Sequence, residues 1–476
     1  MGLAEEGQGA KQILAQLAAF KADDVAWRNG RVFAFVFNAG QDAEALVKQA
    51  QAMYLSENAL DPTSFPSTLR LERQIVRLTA GLMQGDSQVV GNVTSGGTES
   101  IMLAVKTARD WARAQRPQIK EPEMILCHTA HAAFHKAAHY LGLKPVIVPF
   151  EPDTYKADVE AMREAINENT ILLVASAPNY SHGIVDPVPR IAALAANNNL
   201  LCHVDACIGG IQLAFMRRLG YEVPPFDFAV PGVTSLSVDP HKYGYSAKGS
   251  SVILYRDKAL RRYQIYANLS TTAYAIVNPT IQSTKSGGPL AATWAIMHYF
   301  GQEGYRKIAG EVIEAARKMM DGIRAMPDLR IEGSPDMSLF AFSSDTLNVY
   351  QLAEVMRQKG WYLQPQFSKA GGRPNLHLTV SHSNVPFVDE FLADLAAAVA
   401  ETKRLEHLDP LTVREQVSAL LQGLTTAEAA QALYQLAGME DGELPEDMAF
   451  VNTVLDALPP PIAEYMLREF FNDLYV

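Results

Sequence analysis

Val89-Val90-Gly91-Asn92-Val93-Thr94-Ser95-Gly96-Gly97-Thr98-Glu99 is a short apolar run that ends in a glycine turn and passes straight into a helical pattern reaching Ala114. β-Branched residues favour extended backbone, and paired glycines let the chain turn sharply into the helix. Working outward, the same alternation continues to about residue 260. Further strands are predicted at Met124 to His128, Lys144 to Pro149, Ile171 to Ser176, Leu200 to Asp205, Leu236 to Val238 and Ser251 to Tyr255. Helices at Asp158 to Ile166 and Pro189 to Asn197 separate some of them. Most of these runs are apolar at every position, as strands covered on both faces must be. The pattern predicts an α/β fold built on a mostly parallel, seven-stranded sheet.

The flanks read differently. Residues 1–70 carry amphipathic helices near Lys11 to Phe20 and Asp42 to Ser56 and are expected to form a helical arm that packs on a partner subunit. Residues 71–304 hold the sheet. Residues 305–404 combine a long helix (Glu303 to Met326), strands near Leu329 to Ile331, Met337 to Phe342 and Leu376 to Val380, and helices Asp345 to Lys359 and Val388 to Thr402. That segregation predicts a small α+β domain. Residues 405–476 form a mainly helical extension, broken by Glu440 to Pro445 and by Pro459-Pro460-Pro461.

With 476 residues the chain exceeds one compact core, and 48% hydrophobic against 20% charged residues excludes a disordered or fibrous chain. A net charge of -11 argues against nucleic acid or an anionic membrane as the main partner. Neither a signal-like start nor 18 consecutive apolar residues occurs, so a cytoplasmic protein without a membrane span is expected. Three cysteines, Cys127, Cys202 and Cys207, exclude a disulfide framework and are expected to be buried thiols.

Three elements carry chemistry. Gly97 and Thr98 open a helix after a strand, where backbone N–H groups and the helix dipole favour an anion such as a phosphate, although a tight turn alone explains the same letters. Asp205 ends an apolar strand, where open α/β sheets place ligands; it is either a partner for a protonated ring nitrogen or a cap for the next turn. Lys242, in Asp239-Pro240-His241-Lys242, lies 37 residues further on. It is either solvated or, within a partly desolvated cationic site, expected to lose proton affinity and attack carbonyl carbon. His128, His131, His135 and His139 fall at helical spacing that could ligate zinc, but no carboxylate accompanies them, and no metal is expected.

Together these motifs resemble the pyridoxal-phosphate enzymes of fold type I, in the group II decarboxylase family, and within it the sphingosine-1-phosphate lyases. Thr94 to Ile101, Thr129 to Phe134, His182-Gly183 with Asp186 to Pro189, His203 to Cys207 and Asp239 to Ser251 carry the likeness, which covers roughly residues 30–400. The resemblance implies pyridoxal 5'-phosphate as cofactor. Lys242 would be its Schiff-base lysine, Asp205 the partner of its ring nitrogen, His131 a ring stacked on it, and Gly97, Thr98 and His241 the holders of its phosphate. Tyr180 would lie beside the reacting bond, making Lys242, Tyr180 and His131 the catalytic set. Lys248, Asn58, Thr284 and Lys285 would bind substrate, Lys248 gripping its phosphate.

Group II decarboxylases place an arginine in the last small-domain strand. Here that position is His377, as in the lyases, with Arg373 near enough in sequence to compensate. Where the family holds Tyr, His and Arg around the distal phosphate, this chain has Phe37, Asp61 and Lys285. The expected activity is Cα–Cβ cleavage of a phosphorylated sphingoid base to a fatty aldehyde and phosphoethanolamine. The alternative is an amino-acid decarboxylase, or an aldolase on a non-phosphorylated β-hydroxy amine. A homodimer is expected whose sites are shared, with Phe37, Asp61 and Thr284 coming from the second subunit.

Overall fold

The computed structural model describes every residue except 1, 4, 273, 407, 422, 426–427, 429–432, 434–447 and 476. Glu440 to Pro445, one of the expected breaks in the extension, lies outside the described residues.

The central sheet has seven strands: β1 (Val90–Thr94), β2 (Glu123–Cys127), β3 (Lys144–Val148), β4 (Thr170–Ser176), β5 (Leu201–Asp205), β6 (Ser235–Val238) and β7 (Ser251–Tyr255), in the order β1-β7-β6-β5-β4-β2-β3. β7 runs antiparallel to both neighbours, and the remaining pairings are parallel. Alternate residues explain the unbroken apolar runs. Leu173, Ala175, Cys202 and Val204 point into one core cluster, while Leu172, Val174 and Leu201 point into the other. All three cysteines are buried, and burial raises the Cys127 thiol to about 11 and Cys202 to about 12.

The loops at the carboxyl ends of β4, β5 and β6 and the turn after β1 meet on one edge of the sheet, as expected of a ligand-binding edge. α4 (Gly97–Gln115) begins there. The expected long helix at Glu303 is present: the helical run Gly288–Arg324 is two helices joined at a kink, where Gly301 has non-helical backbone (φ 52°), and the second carries the expected stretch. The first was not foreseen; it starts at Gly287-Gly288-Pro289, with Pro289 in the first turn where its missing N–H costs nothing. The small domain is a four-stranded sheet of Arg330–Ile331, Leu339–Ser343, Asn375–Thr379 and Gln364–Gln366, the last unforeseen in the sequence.

Part of the N-terminal arm belongs to its own chain. Phe33 is buried against Trp361 and Phe391, and its backbone bonds Tyr362 and Thr379. The helix Ala10–Ala19, by contrast, buries no residue. At the other end, the helices Pro410–Leu420, Met448–Ala457 and Pro460–Asp473 share a small core of Val413, Val417, Val454, Leu458 and Met466. Among the described residues no helix is long and apolar enough to cross a membrane.

Candidate active site

Residues singled out at five separate places in the chain line one cavity of about 400 Å³. Gly97 and Thr98 come from the start of α4, His131 from the turn after β2, Tyr180 from beyond β4, Asp205 from the end of β5, and His241 and Lys242 from the turn after β6. Gly97 is required by packing: a Cβ there would sit 2.7 Å from Asp239 Oδ2 and 2.9 Å from Cys207 Sγ. Glu99 locks the turn, accepting from Ser95 N at 2.6 Å and from Ile281 N at 2.7 Å.

Asp205 Oδ1 accepts from Cys207 N at 3.0 Å and from Ser237 Oγ at 3.3 Å. Beneath it His203 is fully buried and hydrogen-bonded to Ser235 and Ser237; burial holds its imidazole neutral, lowered to about 4. Tyr180 donates its hydroxyl hydrogen to Gln364 Oε1 at 2.6 Å and lies 4.4 Å from the His377 ring. His377 Nδ1 faces the Ser181 carbonyl at 3.3 Å and Nε2 faces Thr379 Oγ1 at 2.8 Å, and burial lowers its pKa to about 3.

Lys242 corrects an expectation. Burial does oppose its charge, but Asp239 with Oδ2 at 3.1 Å, then Cys207 and Asp205, outweigh it, so the ammonium is strengthened rather than weakened. The site is not cationic overall, because Asp205, Asp239 and Glu99 line it alongside Lys242 and His241. Asp239 is the site residue that sequence reasoning passed over. Its spacing of three from Lys242, bridging one turn of chain, was the available signal.

Three further corrections follow from geometry. The histidine spacing does not lie on one helix, because the helix begins at Ala133. Among the described residues no cluster of His, Cys, Asp or Glu could hold a metal ion. Arg373 is paired with Asp345 in an exposed ion pair and does not line the cavity. Phe37 was expected from a second subunit, yet in its own chain its ring lies 5.0 Å from Tyr243 and 5.3 Å beneath the Lys248 ammonium.

Lys248 is an exposed residue whose Nζ donates to the Phe35 carbonyl at 2.7 Å; partial desolvation by the surrounding chain, with repulsion from Lys242, lowers it to about 8. Asn58, Thr284 and Lys285 do not line this cavity. Asn58 Oδ1 accepts from Leu60 N at 3.0 Å, Thr284 is exposed, and Lys285 pairs with Glu72 Oε2 at 3.1 Å. Asp61 caps its own loop through Thr63 and Ser64, which lower its carboxyl to about 2.

A phosphorylated pyridine aldehyde fits this residue set. The free N–H groups opening α4, the unpartnered His241 Nδ1, the Asp205 carboxylate and the Lys242 amine are the donors and charges such a group needs. The pyridoxal-dependent decarboxylase conserved domain matches residues 5–345. The chain belongs to the pyridoxal-dependent decarboxylase family. The chain is similar to sphingosine-1-phosphate lyases: the Oryza sativa enzyme is 40% identical over 401 residues, 82% of this chain and 73% of that protein. The mouse enzyme is 38% identical over 405 residues, 84% and 70% of the two chains. Among solved structures, a Burkholderia pseudomallei sphingosine-1-phosphate lyase superposes with a TM-score of 0.82 at 33% identity, covering 89% of this chain and 98% of that one. A Lactobacillus brevis glutamate decarboxylase shares the fold, with a TM-score of 0.75 at 20% identity over 86% and 96% of the two chains. As a member of this family the chain is a pyridoxal-phosphate-dependent lyase. A pyridoxal-dependent enzyme C-terminal putative HTH domain also matches, at residues 393–473.

Proposed function

We propose that the protein cleaves the Cα–Cβ bond of a phosphorylated sphingoid base, giving a fatty aldehyde and phosphoethanolamine. The observation that carries this reading over decarboxylation is that, among the described residues, no guanidinium lines the cavity. An α-carboxylate asks for a bidentate arginine. Here the last small-domain strand presents a buried, neutral His377, and Arg373 is engaged by Asp345.

Gly97, Thr98 and His241, which line the cavity, would hold the cofactor phosphate, Asp205 would pair with the ring nitrogen, His131 would cover the ring and Lys242 would condense with the aldehyde. When bound, the cofactor supplies an electron sink for the carbanion left by bond cleavage. Tyr180 is kept protonated by burial and fixed by Gln364, so its oxygen is held in place to orient the 3-hydroxyl group. Lys248, whose ammonium lies over the Phe37 ring, would grip the substrate phosphate. Phe37 offers that phosphate an aromatic edge without a hydroxyl.

We further read the protein as a cytoplasmic homodimer. The apolar side chains left exposed at Tyr266, Leu269, Tyr274, Val277 and Ile281, and the unburied helix Ala10–Ala19, support a second subunit here. Asp61 and Thr284 would reach the partner's site. Incubation with sphingosine 1-phosphate tests the activity, with aldehyde and phosphoethanolamine as expected products. Release of CO₂ from amino acids without aldehyde overturns it.

A further inference from the structure

Asp239 is buried to 1% of its side-chain surface, in the turn that also carries His241 and Lys242. Its Oδ2 is 3.1 Å from Lys242 Nζ and 3.6 Å from His241 Nε2, while Oδ1 is buried without a hydrogen-bond partner. The carboxylate is pressed against the backbone of Gly97, where any side chain would collide with both of its oxygens. A carboxylate held this way cannot swing to solvent, and an unsatisfied buried oxygen is costly unless a cation neutralises the group. It caps no helix N–H; its cationic neighbours are Lys242 and His241 of its own turn, with the Ser251 hydroxyl of β7 beside it.

We propose that Asp239 is a positioning residue that fixes the protonation of Lys242: it holds the unbonded ε-amine as an ammonium, so that released Lys242 is the proton donor of the reaction rather than its base. In that role an N–H bond of Lys242 breaks and the proton passes to Cα, whose electron pair forms the new C–H bond. Nζ is left as the neutral amine, the form that would bond the cofactor's aldehyde carbon again as the bond from that carbon to the product's nitrogen breaks and the product leaves as its amine. One proton thus separates the two tasks of the same nitrogen. The proposal rests on Lys242 being the condensing lysine, but not on which substrate is cleaved.

The groups facing Lys242 bear this out. Asp239 and His241 share its turn, Asp205 and Cys207 approach from β5 and the residues beyond it, Tyr180 from the loop after β4, and Lys248 from the far end of its own turn. Asp239, Cys207 and Asp205 outweigh burial at Lys242, and Asp239 is itself lowered by Lys242 and His241 against the burial that would raise it.

The test reads the amine directly. Full-length protein labelled with ¹³C-lysine is stripped of cofactor, and recovery of visible absorption on adding pyridoxal 5'-phosphate shows that it remains competent. The Lys242 Cε signal is assigned by its loss in Lys242→Ala and titrated with pH. The wild-type signal is expected to stay in the ammonium position beyond the ordinary lysine value of about 10.4. Asp239→Asn should bring the midpoint down by at least one unit, and Asp239→Glu should restore it. Folded Asp239→Asn protein with an unchanged midpoint overturns the proposal. Should that variant not fold, a wild-type midpoint below about 10.4 overturns it equally. Failure of the substrate assay alone leaves these titrations unaffected.

Discussion

Two lysine–carboxylate pairs in this chain have the same separation, 3.1 Å, and opposite surroundings. Lys285 and Glu72 are fully supplied: Lys285 also donates to the Val93 carbonyl at 3.0 Å, and Glu72 Oε1 accepts from Asn92 Nδ2 and Val93 N at 3.0 and 2.9 Å. That pair ties the helix Pro66–Leu82 and β1 to the loop before Gly288. Lys242 and Asp239 sit in the cavity with one carboxylate oxygen unpartnered. A satisfied pair serves the fold; a pair left short of partners inside a cavity is available for chemistry. Equal distances thus say little until the remaining hydrogen bonds are counted.

Breaking the cavity pair should have the largest effect. Lys242→Ala is expected to abolish the visible absorption of bound cofactor and lower turnover by on the order of 10³-fold or more. An absorbing, active variant would remove Lys242 from the Schiff-base role.

The second pair should fail differently. Lys285→Met leaves a mostly buried Glu72 charge without its partner and is expected to cost about 3 kcal/mol of stability, read by chemical denaturation. Cofactor absorption should persist. Unchanged stability with a raised KM would instead make Lys285 a substrate ligand, as the sequence suggested. Tyr180→Phe lies between these extremes: loss of the hydroxyl held by Gln364 should lower kcat about 10²-fold with the spectrum intact.

The comparison also marks how far the sequence could be read. The seven strands were legible to within a residue or two, because buried parallel strands are unbroken apolar runs bounded by turn formers. Gln364-Pro365-Gln366 was not, being a polar strand made by its neighbours, and it is the one that holds Tyr180. Residue types marked Lys242, Asp205, Gly97 and His241 as chemistry. What spacing could not show was charge balance. Lys242 looked like a lysine weakened by a cationic site, and only three dimensions bring Asp239, Cys207 and Asp205 around its amine. Likewise Lys285 and Arg373 looked like free cations until their carboxylate partners were found far along the chain.

Lys248 sharpens the contrast by pH. It is a third lysine, without a carboxylate partner, lowered to about 8. A lysine is charged below its pKa, so the grip on a phosphorylated substrate should be complete at pH 7 and weaken above about 8. KM is expected to rise roughly tenfold per pH unit there. Lys248→Met should raise KM at pH 7 and flatten that rise; a profile identical to wild type would remove Lys248 from phosphate binding.

The smallest effect belongs to Arg373. Its guanidinium is bonded to Asp345 at the surface, where an ion pair contributes little and salt screens it further. If that pairing is its whole role, Arg373→Ala should leave kcat and KM within about twofold of wild type and shift stability only slightly. If instead Arg373 swings in to hold an α-carboxylate, the same change should leave sphingoid-phosphate cleavage intact while removing any residual amino-acid decarboxylation. Measuring both activities on one variant separates the two cases. It asks of Arg373 what the hydrogen-bond tally asks of Lys285: whether a cation already satisfied in the folded chain has anything left to offer a ligand.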